Sequence, residues 1–179
     1  MRVIKLYTLL AFLTMALVSC ETATKEKVVF YSKDDLKNEL PININNTDGA
    51  LVSINSRAVI GFHSSKFFNN NLVYLRDVSV PKMCFKVKNF DANSANVISN
   101  IQVYVDDIRI TDHMGTDFLD PNNNDVQFEI NNEVLLSAIA TKLMQNRQVT
   151  ISYYSDAVTS NQMDFEFEFS ITAQGTFVD

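Results

Sequence analysis

Two histidines, His63 and His113, are the only imidazoles in this 179-residue chain, so any mechanism that needs such a base is confined to them. His63 stands in Phe62-His63-Ser64-Ser65 at the outward end of an alternating run, with no Gly-x-Ser-x-Gly elbow anywhere in the chain. Ser79-Val80-Pro81-Lys82 spells Ser-x-x-Lys, but that motif works from a helix that turns both side chains into one cleft. Pro81 within a strand-like run precludes such a helix. Glu166 and Glu168 lie on the outward side of an alternating C-terminal segment, which suits a solvated sheet face and not an enclosed acid/base pair. The sequence therefore predicts no catalytic residues and no enzyme.

Metal chemistry narrows in the same way. Zinc needs closely spaced His and Cys ligands, and Cys84 with two isolated histidines does not supply them. Oxygen donors do gather between positions 111 and 125, where Asp112, Asp117, Asp120, Asn122, Asn124 and Asp125 form a weak candidate for calcium. Asp120, Asn122 and Asn124 reproduce the first, third and fifth positions of an EF-hand loop. Position six is then Asp125 instead of Gly, position twelve is Asn131 instead of Glu, and no helix precedes the loop. A solvated connection between strands is the expectation, with calcium as its one conceivable cofactor. A sugar-binding platform would need exposed aromatic rings, and the chain has no Trp. Tyr153 and Tyr154 project to opposite faces of one strand, so at most one of them joins Tyr31, Tyr74 or Tyr104 on a surface.

The elements that must position these groups are mostly strands. Phe165, Phe167, Phe169, Ile171, Ala173, Gly175 and Phe177 alternate with polar residues, giving a long strand with one buried face. Val52, Ile54, Ala58, Ile60 and Phe62 make a second run, interrupted by Ser56; Val149, Ile151 and Tyr153 a third; Val28 to Tyr31 a shorter one. Between Leu72 and Phe90 the apolar parity switches from Val78 and Val80 to Met83, Phe85 and Val87, with Pro81 at the break, so the chain bends there or changes sheet. Ile101, Val103 and Val105 lead through Asp106-Asp107 to Ile108 and Ile110, a tight hairpin, and Val126, Phe128 and Ile130 give a further strand. One helix stands out near residues 132–145: Leu135, Leu136, Ile139, Ala140 and Leu143 share a stripe, Asn131 or Asn132 can cap it, and Asn146 offers a left-handed stop. A second helical turn is expected from Ser32, with Asp35 as capping partner and Leu36 and Leu40 apolar. Seven to nine strands with polar turns and one late helix predict an all-β antiparallel β-sandwich of immunoglobulin-like architecture, with a small barrel as the alternative. No Cys pair or core Trp supports a true immunoglobulin domain.

The first twenty residues specify an address. Basic Arg2 and Lys5 precede an uncharged run from Leu6 to Val18, too short for the roughly 20 apolar residues of a membrane span and suited to a secretory signal. Leu17-Val18-Ser19-Cys20 resembles the lipobox of bacterial lipoproteins, in which a small residue precedes the cysteine that is diacylated and becomes the mature N-terminus. The resemblance implies a signal peptide over 1–19, a lipid on Cys20, a polar tether over 20–27 and one domain over 28–179. Glu21, in place of Asp, is compatible with outer-membrane sorting under the rule known for enteric bacteria. Bacteroidota that export lipoproteins to the surface use an acidic cluster after the cysteine, and Glu21 to Lys27 carries mixed charges instead.

Charge and thiols agree with that address. The formal charge is −6, and without Arg2 and Lys5 the mature part carries 13 basic against 21 acidic residues, which argues against nucleic acid as a partner. With Cys20 acylated, Cys84 has no disulfide partner, and it reads as a structural thiol with Lys82 and Lys86 on its side of the strand. The order of features resembles a loose group of uncharacterised Gram-negative β-sandwich lipoproteins abundant in Bacteroidota. A lipobox is followed by a strand pair like Val78 to Phe90, a helix like Leu135 to Leu143 and a closing Phe-rich strand. The functional expectation is a lipid-anchored, non-catalytic binding or assembly module of the cell envelope and outer membrane, facing the periplasm or the surface, with an envelope protein or glycan as partner. The alternatives are a fimbrial or filament subunit that exchanges an edge strand, and an enzyme acting on envelope polysaccharide through two carboxylates in one cleft.

Overall fold

The computed structural model describes residues 27–91, 96–115 and 117–179; Cys20, the signal segment and all of the tether but its last residue lie outside them. The chain runs β1 (Val29–Ile44), β2 (Val52–Gly61), α1 (Lys66–Asn71), β3 (Leu75–Lys88), β4 (Val97–Val105), β5 (Ile108–Arg109), β6 (Phe128–Ile130), α2 (Glu133–Asn146), β7 (Gln148–Val158) and β8 (Met163–Val178). Two four-stranded sheets form, with orders β1-β8-β3-β6 and β2-β7-β4-β5, and every pairing is antiparallel. The sandwich expectation holds. Its connectivity is specific: β1 pairs with β8, β2 with β7, β3 with β6 and β4 with β5, as in a long hairpin ribbon rolled about the β4–β5 turn. That is the jelly roll.

β8 is central to one sheet. Its inward residues Phe165, Phe167, Phe169, Ile171, Ala173 and Phe177 are all buried, and the ring of Phe167 lies 5.7 Å from Phe169 and 5.6 Å from Tyr153 of the facing sheet. Phe85 on β3 extends the aromatic layer, 6.0 Å from Phe169 and stacked on Phe128 at 5.2 Å. Such pairs add to stability beyond the area they bury.

Two expectations change and a third resolves to one of its alternatives. The segment from Ser32 is strand and not helix, because Leu36 and Leu40 sit four apart, a spacing that satisfies a period of two as well as a helical one. The ladder with β8, from Val29↔Val178 to Ile44↔Met163, decides the matter. At Pro81, of the two alternatives, the chain bends and does not change sheet. The register steps from Ser79↔Gln174 to Lys82↔Thr172, so one extra residue on β3 makes a bulge, and the bulge switches the parity. The left-handed residue after α2 is Arg147 (φ 65°) and not Asn146; its N–H donates to the Leu143 carbonyl and its own carbonyl accepts from the Phe62 N–H at 3.0 Å. A side chain on Gly61 would come within 2.7 Å of that carbonyl, so the close approach requires glycine there.

Helix α2 forms as expected: the Asn132 side chain accepts from the Leu135 N–H, and Leu135, Leu136, Ile139, Ala140 and Leu143 bury their stripe against β3 and β7. Removing a ring from the centre of the aromatic layer leaves a cavity that the two rigid sheets cannot close. Phe167→Ala is expected to lower unfolding free energy by about 3–5 kcal/mol, measured by urea titration; an unchanged midpoint would contradict this packing.

Candidate functional site

The outer face of the β2-β7-β4 sheet collects groups that the sequence scatters. Register places Asn55, Tyr154 and Gln102 in one row across the three strands, Arg57, Ser152 and Tyr104 in the next, and Ser53, Asp156 and Ser99 on the other side. Inward neighbours Ile54, Tyr153 and Val103 face the core, so alternation alone turns these polar residues outward.

Within this face the side chains hold one another. Arg57 Nη2 donates to Tyr154 Oη at 3.0 Å, and the guanidinium holds that phenol below its ordinary pKa. The Tyr154 ring meets Tyr104 edge-on at 6.0 Å, and Tyr104 Oη donates to Gln102 Oε1 at 2.9 Å. Asp156 accepts from Asn100 Nδ2 at 2.7 Å and from Ser53 Oγ at 2.8 Å, bonds that keep its carboxyl below the usual range. Asn100 reaches it because β4 carries one extra residue between Ser99 and Gln102 and Asn100 turns left-handed (φ 52°). The result is a shallow cleft of about 220 Å³ lined by Ser53, Asn55, Asn100, Gln102, Tyr154 and Asp156. Two half-buried rings with amides, a carboxylate and a guanidinium suit a polar, hydroxyl-rich or peptidic ligand laid across the sheet. Of the tyrosines considered from sequence, Tyr104 and Tyr154 meet here. Tyr153 is fully buried, and burial pushes its pKa up to about 12. Arg57, Asn100 and Asp156 were not singled out from sequence. Strand parity marks Arg57 and Asp156 as outward, but which strands are neighbours is a property of the jelly roll.

The oxygen-rich segment is hydrogen-bonded both within itself and to the strands beside it. Asp120 Oδ1 accepts from the Asn122 N–H at 2.8 Å and from its side-chain amide at 2.9 Å. Asn124 bridges to the end of β3, accepting from the Phe90 N–H at 2.9 Å and donating to the Phe90 carbonyl at 2.8 Å. Asp112 pairs with Arg109 at 3.5 Å, the Asp117 carbonyl accepts from the Asn123 amide at 2.9 Å, and Asp125 is left-handed with its N–H on the Val87 carbonyl. Among the described residues no three His, Cys, Asp or Glu side chains are grouped to hold a metal ion.

The remaining candidates lie apart. His63 and His113 sit in separate exposed 3₁₀ turns, Phe62–Ser64 and Thr111–His113. Ser79 and Lys82 flank the bulge, and Lys82 pairs with Glu129 of β6. Cys84 is buried, with Gln127 Nε2 3.5 Å from its sulfur, and burial pushes its thiol pKa up. Glu166 and Glu168 line the outer face of the other sheet, where Lys88 contacts both, at 3.4 and 2.8 Å, and also Glu39 at 3.2 Å, tying β1, β3 and β8 together. The Lys88 hydrogen bond holds the Glu168 carboxyl below its usual range.

No family model matches the chain, and no curated protein does. Among solved structures it is similar to the decameric BFDV capsid protein (TM-score 0.46, 6% identity, 82% of this chain and 99% of that one). It is also similar to the capsid particle of a nodavirus of the prawn Macrobrachium rosenbergii (TM-score 0.40, 9% identity, 88% and 98%) and to Desmodium yellow mottle tymovirus (TM-score 0.35, 7% identity, 88% and 91%). The strand order, and not these distant likenesses, identifies the fold.

Two outcomes follow from this geometry. Asn124→Ala removes both bonds to Phe90 and is expected to cost about 1–3 kcal/mol of stability, while melting curves in calcium and in chelator superimpose; a rise in melting temperature with calcium would contradict the hydrogen-bonded account of the loop. A carboxyl with a folded pKa below its unfolded value of about 4.3 contributes stability above that value and loses it as pH falls through the folded pKa. The melting temperature should therefore drop between about pH 5 and pH 3, and Glu168→Gln should blunt that drop; an identical slope in the variant would refute the role of the Lys88 contact.

Proposed function

We propose that the protein is a lipid-anchored, non-catalytic binding module of the bacterial cell envelope, held on the outer membrane through Cys20. The observation that carries this reading is the apolar run ending in Leu17-Val18-Ser19-Cys20, which places an acylable cysteine eight residues before Val28. Eight residues extend at most about 28 Å, so the anchor keeps the domain beside the bilayer without fixing its orientation. Two or three acyl chains hold such a molecule durably where one would exchange.

The polar face around Tyr154 and Asp156 is the surface offered to an envelope protein or glycan in this reading. What supports it is the joint placement of rings, amides and charges on an open sheet face, positioned by a bulge in β4.

Fractionation tests the anchor. Wild-type protein should sediment with membranes and Cys20→Ala should move to the soluble fraction; a variant that stays membrane-bound would overturn the anchor. A photo-crosslinking residue in place of Gln102 should yield a reproducible adduct in intact cells, and its absence would contradict the binding role.

A further inference from the structure

Five of the nine exposed large apolar residues described gather at one end of the sandwich, while Val126 and Val134 flank β6 and open α2. The five are Val28, Val29, Tyr31, Phe67 and Val73, exposed at 59%, 49%, 70%, 37% and 75%. They come from three places in the chain but one place in the fold. Val29 pairs with Val178, the Val178 N–H donates to the Tyr74 carbonyl at 2.9 Å, and the Asp179 N–H donates to the Val28 carbonyl at 3.1 Å. The Phe67 ring sits edge-on to Phe30 at 6.3 Å and to Phe177 at 5.3 Å. Leu51 and Val97, also exposed, lie at the opposite end, beside the pairs Val52↔Ala157 and Val97↔Val158.

We infer that this end of the domain docks on the lipid bilayer, with Val28, Val29, Tyr31, Phe67 and Val73 entering the headgroup and upper acyl region. The inference rests on the proposed anchor, and it says which way the anchored domain faces. The first described residue, Lys27, lies at this end, and Cys20 precedes it by seven positions, so the proposed anchor is joined to the domain at the apolar end itself. Apolar side chains with one aromatic hydroxyl suit the interfacial zone, and Lys27 and Lys66 flank them with charges that phosphate groups attract. The patch is rigid: Phe67 lies on α1, capped by Ser65, whose Oγ also bonds Asp34 on β1. The acidic mature chain, with 13 basic against 21 acidic residues, would be repelled from an anionic surface if free. Tethering removes that obstacle, because a short linker holds its cargo at an effective concentration of about millimolar, where a weak patch suffices. In this orientation Leu51 and Val97 point away from the membrane.

The test uses the full lipidated chain in vesicles of phosphatidylethanolamine and phosphatidylglycerol, carrying Cys84→Ser and a nitroxide at Val73→Cys, with Leu51→Cys as the comparison and Tyr31→Cys as a second site in the patch. The labels at positions 73 and 31 should be relaxed several-fold more by oxygen than by an aqueous nickel chelate, relative to the label at 51. Equal accessibility at both ends in a chain that floats with the vesicles would overturn docking and leave the anchor standing. A chain that does not float would overturn both. Spin–spin broadening at position 73 that vanishes on dilution with unlabelled protein would assign the patch to a second copy and equally overturn the inference.

Discussion

The pairing of β8 with β1 on one side and β3 on the other is the constraint on which the rest of the molecule depends. A strand central to its sheet has both edges hydrogen-bonded, so its inward face can be wholly apolar, and here that face carries Phe165, Phe167, Phe169 and Phe177. Those rings meet Tyr153 of the other sheet and Phe85 of the same one, filling the space between layers that lie about 10 Å apart. With no disulfide among the described residues, stability rests on this layer and on the ladders around it. The outer faces are thereby left to polar groups, Lys88 and its carboxylates on one sheet and the Tyr154 cluster on the other.

Much of this was legible from periodicity. The inward set of β8, the stripe of α2 and the hairpin at Asp106-Asp107 follow from alternation, helical spacing and turn chemistry, and the structure has them where expected; Asp106 takes the left-handed conformation that the turn needs (φ 53°). What was not legible has a common cause. Leu36 and Leu40 fit two periods, and only a partner strand chooses between them. Pro81 signalled an irregularity, and the Thr172 to Gln174 register is needed to show that it is a bulge inside one sheet. Arg147 takes the left-handed position because the Phe62 amide needs its carbonyl, a contact between residues 85 positions apart.

The candidate binding face shows the same limit more sharply. Tyr104 and Tyr154 could be weighed as exposed rings from sequence, but their meeting, and the arrival of Arg57, Asn100 and Asp156 around them, require β2, β7 and β4 to be neighbours. Long-range strand order is what a jelly roll supplies and local pattern does not. In the oxygen-rich segment Asp120 closes a local turn onto Asn122, while Asn124 reaches the Phe90 backbone 34 positions away.

The proposed role joins two things of different origin, an acylated terminus read from Leu17 to Cys20 and a rigid sandwich whose first strand starts nine residues later. The proposed orientation of the domain and display of its polar face both follow from that junction. Intact mass spectrometry of the protein purified from membranes measures it directly. The account predicts a chain that begins at Cys20 and carries the added mass of a diacylglycerol group there; an unmodified chain, or one starting at any other residue, would contradict it.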